Sequence, residues 1–410
     1  MRITRLILCA SSLLLSLALT ACGGGGGGGG TSSTAATPST TTQSPPITST
    51  AANQIAVGVT AATGAINMPA VSVTICAPGS TTNCQTITNV LLDTGSSGLR
   101  LPAGVLNSTI MAALPQSTQN NQPLAECAQF GIGNAWGSVR TANIQMAGET
   151  ASSIPVQIVN DPAVPAAPSG CNTAVAPYGN ANGLLGISVF QQDCGAYCAQ
   201  VQANATYFTC QSGACQATTL PTAQQVGNPV AAFPGDNNGT ILAMAAIPGS
   251  GQTTASGTLT FGIGTQSDNS PPTTSQFYAV SPTTGYFQTA YAGQNLSSFL
   301  DTGSNVLFFQ DSSIPQCSQF PGYYCPASTT NLNTQITSAS GTTSSAVTFA
   351  LVNAQNAANA NPSYAALPGI GVYRGGSIFD WGFPFYYGRS VSTVIEGRTT
   401  NLGTGPGVIF

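Results

Sequence analysis

The chain has 410 residues, of which only 7 are basic and 11 acidic, for a formal charge of −4. It contains no lysine and no histidine, which excludes Ser-His-Asp and Cys-His catalysis, histidine metal sites and lysine Schiff-base chemistry within this chain. So little positive charge also excludes a basic patch for nucleic acid.

The first segment, residues 1–21, is read as targeting sequence. Arg2 and Arg5 make a basic start, and Leu6–Leu19 is an apolar run too short to span a membrane comfortably. Leu19-Thr20-Ala21-Cys22 matches a bacterial lipoprotein cleavage box. The match implies cleavage before Cys22 and lipid on that residue, with the membrane met through that lipid alone. Gly23 in place of an Asp favours the outer membrane, facing the periplasm or the cell surface. The alternative is an ordinary secretory signal. Residues 22–53, an unbroken glycine run followed by Thr, Ser, Ala and Pro, cannot bury a core and are expected to be a flexible tether.

About 350 residues remain, enough for two lobes with a shared core. With 47 Gly and 27 Pro in the chain, many Thr, Ser and Val, and few helical periodicities, mostly β structure is expected. The predicted mature part keeps five Arg and all 11 acidic groups, a formal charge of −6.

In chain order, Val57-Gly58-Val59 and Val71–Ile75 alternate as strands do. Thr86–Leu92 then runs into Asp93-Thr94-Gly95-Ser96, followed by a second apolar strand through Leu101. Gln129–Val139 contains Phe130-Gly131-Ile132-Gly133 and Trp136. Thr141–Met146 and Ile154–Val159 read as strands, and Gly183–Ile187 as a short apolar one. Cys194–Asn228 looks like an insertion. Thr258–Gly262 ends the first lobe, assigned to residues 54–268, and residues 269–410 form the second. There Phe277–Val280, Tyr286–Thr289 and Asn295–Leu300 lead into Asp301-Thr302-Gly303-Ser304 and another apolar strand. Tyr373–Val394, with Asp380-Trp381-Gly382-Phe383-Pro384-Phe385, closes the second lobe.

One stretch therefore occurs twice, 208 positions apart: strand, Asp-Thr-Gly-Ser, strand. Gly tolerates turn angles that other residues avoid, and Asp and Ser can bond their own backbone. Carboxylates among apolar strands are costly unless paired or neutralised. Two related lobes can bring Asp93 and Asp301 face to face, sharing one proton. One then serves as general base on a water and the other as general acid.

These paired stretches resemble the active-site turns of pepsin-like, bilobal aspartic peptidases. The resemblance implies an all-β bilobal fold with pseudo-twofold lobes, and hydrolysis of an extended peptide or protein substrate without metal or cofactor. Asp93 and Asp301 take the catalytic positions. Thr94 and Thr302 match residues that bond across the lobe interface, Ser96 and Ser304 those that steady the outer carboxylate oxygen, and Gly95 and Gly303 complete each turn. Phe130 and Gly131 match the flap, with Phe130 where the family has tyrosine; Trp136 is a candidate to supply an N–H instead. Gly186 and Gly382 match glycines packed behind the turns. Asp380 stands where an apolar residue is expected, so it is expected to raise the neighbouring carboxyl pKa values, neutralise itself, face solvent, or pair with Arg374 or Arg389. The signal segment and the Phe-Asp-Trp-Gly-Phe-Pro-Phe run also resemble a bacterial family of uncharacterised exported lipoproteins. The alternatives are a scaffold that binds peptide or protein without cleaving it, and a structural surface lipoprotein without a groove.

An even count of ten cysteines after Cys22 reads as disulfides. Close spacing suggests Cys76–Cys84, Cys210–Cys215 and Cys317–Cys325. Cys127, Cys171, Cys194 and Cys198 supply two more pairs in an order the spacing leaves open. A four-cysteine zinc site is the rival, disfavoured because no double Cys-x-x-Cys pattern is present.

Overall fold

The computed structural model describes residues 52–171 and 178–410. The targeting segment, Cys22 and the tether through residue 51 lie outside the described residues. The described fold is all-β and bilobal, as the sequence predicts, with short α-helices only at Ser108–Ala113, Ala196–Gln200 and Ala354–Ala360 among the described residues.

Each lobe is built on the same crossing of three strands. In the first, Cys84–Asp93 runs parallel to Leu184–Ile187 and sets Asp93 opposite Gly186. Ser97–Pro102 returns antiparallel on the other side of that strand, with Gly98 opposite Gly186. In the second lobe, Gln294–Asp301 runs parallel to Ile378–Gly382 and sets Asp301 opposite Gly382. Leu307–Phe309 flanks the other side, with Phe308 opposite Asp380. Each Asp-Thr-Gly turn thus straddles a central strand. The central strands are covered on both faces and so are mainly apolar, with Leu184, Leu185, Ile187, Phe379 and Trp381 all buried and Asp380 the exception.

Six strands at one end of a 16-stranded sheet join the halves. Their order is Gln54–Val59, Ala255–Phe261, Gly239–Met244, Ser390–Val394, Gly407–Ile409, Phe277–Ala279, antiparallel at every pairing. Strands from both sides of the predicted boundary therefore share one ladder. One apolar cluster runs through both lobes, from Val73, Ile75 and Leu92 to Phe309, Phe349 and Trp381. In the second lobe it is largely aromatic: Phe379 stacks on Trp381 with centroids 4.3 Å apart and on Phe309 at 5.0 Å.

The disulfides include the three close pairs predicted, Cys76–Cys84, Cys210–Cys215 and Cys317–Cys325. The four open cysteines pair as Cys127–Cys171 and Cys194–Cys198. The second of these is local because the helix Ala196–Gln200 folds Cys198 back onto Cys194. The cysteine-rich insertion forms a hairpin, Tyr207–Gln211 with Ala214–Ala217, that extends the edge of Gln122–Phe130.

Candidate functional site

The two Asp-Thr-Gly turns meet at the lobe interface through reciprocal hydrogen bonds. Thr94 N–H donates to Thr302 Oγ1 at 2.9 Å, and Thr302 N–H donates to Thr94 Oγ1 at 3.0 Å. Each hydroxyl then donates across the interface, Thr302 Oγ1 to the Leu92 carbonyl at 2.7 Å and Thr94 Oγ1 to the Leu300 carbonyl at 3.2 Å. All four groups are buried, where an unmade bond is expensive, so this lattice fixes one turn against the other. The Thr94 hydroxyl proton is committed to Leu300, so Tyr386 Oη, 3.1 Å from Thr94 Oγ1, is the donor there. Tyr386 was not anticipated from the sequence.

Within each turn the carboxyl is held by its own loop. Gly95 N–H donates to Asp93 Oδ1 at 2.7 Å, and Ser96 Oγ donates to Asp93 Oδ2. Gly303 N–H donates to Asp301 Oδ1 at 2.7 Å, and Ser304 Oγ lies 2.8 Å from Asp301 Oδ2. The glycines are required by the opposite carboxyl. A Cβ on Gly95 would lie 2.7 Å from Asp301 Oδ1, and one on Gly303 would lie 2.7 Å from Asp93 Oδ1.

Asp93 and Asp301 face each other across the interface: a Cβ on Gly303 would lie 2.7 Å from Asp93 Oδ1 and 3.1 Å from Asp301 Oδ1. Two carboxyls that close do not both ionise cheaply, so such a pair favours holding one proton between them. The surrounding protein desolvates Asp301, and the charges of Asp93 and Asp380 add to this; together they push its carboxyl well above the usual range, against the Ser304 hydrogen bond. Asp93 is buried, while Asp301 keeps part of its surface open. A carboxyl pair sharing one proton presents a base and an acid side by side, the arrangement needed to deprotonate a water and protonate the atom that receives it.

Asp380 neither faces solvent nor pairs with an arginine. It is 6% exposed, and its Oδ2 lies 2.7 Å from Ser304 Oγ. Arg389 instead stacks on Phe385 at 4.4 Å and donates to the Phe385 carbonyl.

Gln122–Phe130 and Gly133–Met146 form the hairpin that carries the flap candidates, with Phe130 opposite Gly133 and Gly131 exposed at the tip. Phe130 packs against Met68, Leu91 and Tyr178, and its ring lies 5.6 Å from the Arg100 guanidinium. Trp136 corrects the expectation that its N–H serves the carboxyl pair. It is buried against Phe208, and its Nε1–H donates to the Pro165 carbonyl at 2.8 Å. A ring that large, facing inward from a paired strand, is held by the core.

Behind the first turn lies a buried charge cluster. Arg100 Nη2 meets Glu126 Oε1 at 2.7 Å and Asp193 Oδ2 at 3.0 Å. Tyr207 Oη donates to Asp193 Oδ1 at 2.8 Å. Burial first, then the charge of Glu126, pushes the Asp193 carboxyl well up. A lone Arg in an apolar strand of a chain with so few cations was the available signal for this cluster.

An all-β, bilobal architecture with two Asp-Thr-Gly turns facing each other across the lobe interface is the class that fold and site define. The chain belongs to the family described as "Protein of unknown function (DUF3443)", matched over residues 49–410. No curated protein matches it. Among solved structures it is similar to an aspartic proteinase from Irpex lacteus, at 15% identity and a TM-score of 0.47, over 87% of this chain and 96% of that one.

Proposed function

We propose that this chain is an aspartic-type endopeptidase. The observation that carries the reading is the reciprocal Thr94–Thr302 bonding, which sets the Asp93 and Asp301 carboxyls facing each other across the lobe interface. The carboxylate of the pair takes a proton from a water, and that water's oxygen attacks the peptide carbonyl carbon. The protonated partner gives its proton to the carbonyl oxygen. The resulting tetrahedral diol collapses as the C–N bond breaks: the pair protonates the amine leaving group and takes a proton back from a diol hydroxyl, which restores its single proton. The proton belongs to the pair, so no fixed order of acid and base is assigned. An extended substrate would add as a strand, held by main-chain bonds.

Export and lipid anchoring through Cys22 belong to the same proposal. The match of Leu19–Cys22 to a cleavage box supports them, as do the five disulfides, which suit an oxidising compartment.

The test compares wild type with Asp93→Asn and Asp301→Asn on a denatured, unstructured protein substrate from pH 2 to 8. Each variant should lose at least about 1,000-fold in kcat, since each removes a reacting group from a unit that works only as a pair. Equal cleavage by variant and wild type would remove the claim. A second reading, a peptide-binding scaffold without hydrolysis, is favoured by Phe130, which lacks the tyrosine hydroxyl. It predicts peptide binding that survives Asp93→Asn, with no cleavage by wild type.

A further inference from the structure

The internal repeat breaks at one position. In the first lobe, Leu184 stands two residues before Gly186; in the second, Asp380 stands two residues before Gly382, in the same register. Ser96 bonds Asp93 alone among carboxyls, whereas Ser304 Oγ lies between two, 2.8 Å from Asp301 Oδ2 and 2.7 Å from Asp380 Oδ2. A hydroxyl has one proton and two lone pairs. It cannot donate to both carboxyls at once, so one of them carries a proton and donates it to Ser304 Oγ. Asp380 is the better holder. Its Oδ1 has no hydrogen-bond partner among the described residues, so as a buried carboxylate it would be badly satisfied. Asp301 already accepts the Gly303 N–H.

The geometry points to Asp380 as a positioning residue for Asp301: while protonated it donates to Ser304 Oγ and so aims the Ser304 hydroxyl at Asp301 Oδ2, and on ionising it takes that hydroxyl away. This deepens the peptidase reading and rests on it. Several groups face Asp380. Arg374 favours its ionised form, and Asp93 opposes it. Asp301 lies beyond Ser304, and the Tyr286 and Tyr386 phenols feel its charge. Phe299 and Phe308, opposite it on the flanking strands, bring no charge. Burial outweighs the rest and pushes the Asp380 carboxyl up to about 8. Across acid and neutral pH, donation therefore runs from Asp380 to Ser304 to Asp301. Above that range a second negative charge competes for the serine proton.

Two variants separate the parts of this claim. Asp380→Asn keeps a donor beside Ser304 but cannot ionise. Asp380→Leu restores the first-lobe residue type and removes the donor. In kcat and KM profiles against pH, Asp380→Asn should stay within about 3-fold of wild type on the acid side and extend the alkaline limb by about one pH unit. Asp380→Leu should lose about 10-fold in kcat with KM unchanged within about 2-fold. A leucine variant equal to wild type at every pH overturns the proposal. A readout independent of activity is the infrared carbonyl band of a protonated carboxylic acid. The spectrum of wild type minus Asp380→Asn at pH 7 should contain that band, and in wild type it should fade as pH rises through about 8. Its absence overturns the positioning role even if the protein cleaves. Its presence in a protein with no cleavage sinks the peptidase reading alone.

Discussion

At the residue scale, two kinds of glycine do different work at this site. Gly382 lies under the second turn, where a Cβ would sit 2.0 Å from the Val306 carbonyl oxygen and 2.7 Å from that of Ser304. Those obstacles are backbone, in a strand pinned on both sides, so nothing nearby can give way. Gly382→Ala should therefore destabilise the fold by about 3 kcal/mol or more, seen as a lowered midpoint in denaturant unfolding. Gly95 meets only the end of a side chain, Asp301 Oδ1 at 2.7 Å. Gly95→Ala should stay within about 1 kcal/mol of wild type in stability but lose about 100-fold in kcat, because it displaces a reacting group without moving the strands. Similar stability losses in both variants would contradict this division. The distinction was partly readable in advance. The Asp-Thr-Gly-Ser repeat marks the turns, and the matching Asp-to-Gly intervals mark the strands beneath them. That Ser304 serves two carboxyls was not readable, because Asp380 reaches it from 76 positions away.

At the element scale, the strands legible in the sequence carry alternating or continuous apolar residues, although the apolar Gly239–Met244 went unread. Two others that were missed had little apolar signal. Thr330–Thr337 and Ser344–Leu351 pair along their whole length, yet their exposed faces carry Asn, Gln, Thr and Ser, so the alternation reads as loop. The same limit hid the cluster around Arg100, whose partners Glu126 and Asp193 stand 26 and 93 positions away. This cluster ties Ser97–Pro102, which follows the first turn, to the flap-candidate hairpin and the cysteine-rich insertion. Removing its single cation leaves Glu126 and Asp193 facing each other in the interior. Arg100→Met should cost about 3–5 kcal/mol near pH 7, the range for breaking a buried pair on one side. The sign with pH follows from the carboxyls. Burial and the Glu126 charge push the Asp193 carboxyl well up, so below its unfolded value near pH 4 it is protonated in both states and the added penalty shrinks. Denaturant unfolding at pH 4 and 7 reads this directly, and a loss equal at both pH values would rule out the electrostatic account.

At the scale of the whole molecule, a chain with no histidine has few side chains that titrate between pH 5 and 8. Its raised carboxyls take that role. Asp380 is pushed up to about 8, and Asp301 and Asp193 well above the usual range, all chiefly by desolvation. Each holds a proton in the folded state that it releases on unfolding. Their contribution to stability is thus complete below the unfolded value near 4 and is lost as pH rises through the folded values. Asp161 and Asp311 act in the opposite sense. Hydrogen bonds from Arg140 and Ser138 to the first, and from Ser313 and Tyr291 to the second, outweigh burial and lower both carboxyls. Their contribution is present above the unfolded value and disappears as pH falls through the folded one. The two sets together place maximum stability on the acid side of neutrality. Unfolding free energy should fall as pH rises from about 4 to 8, with Asp380 alone supplying a slope of up to about 1.4 kcal/mol per pH unit. Asp380→Asn should flatten that slope, because an amide does not titrate. Denaturant titrations at one-unit pH steps measure both curves. A wild-type stability that is level or rising across this window would show that these three acids ionise freely inside the fold, contrary to the proton accounting of the site.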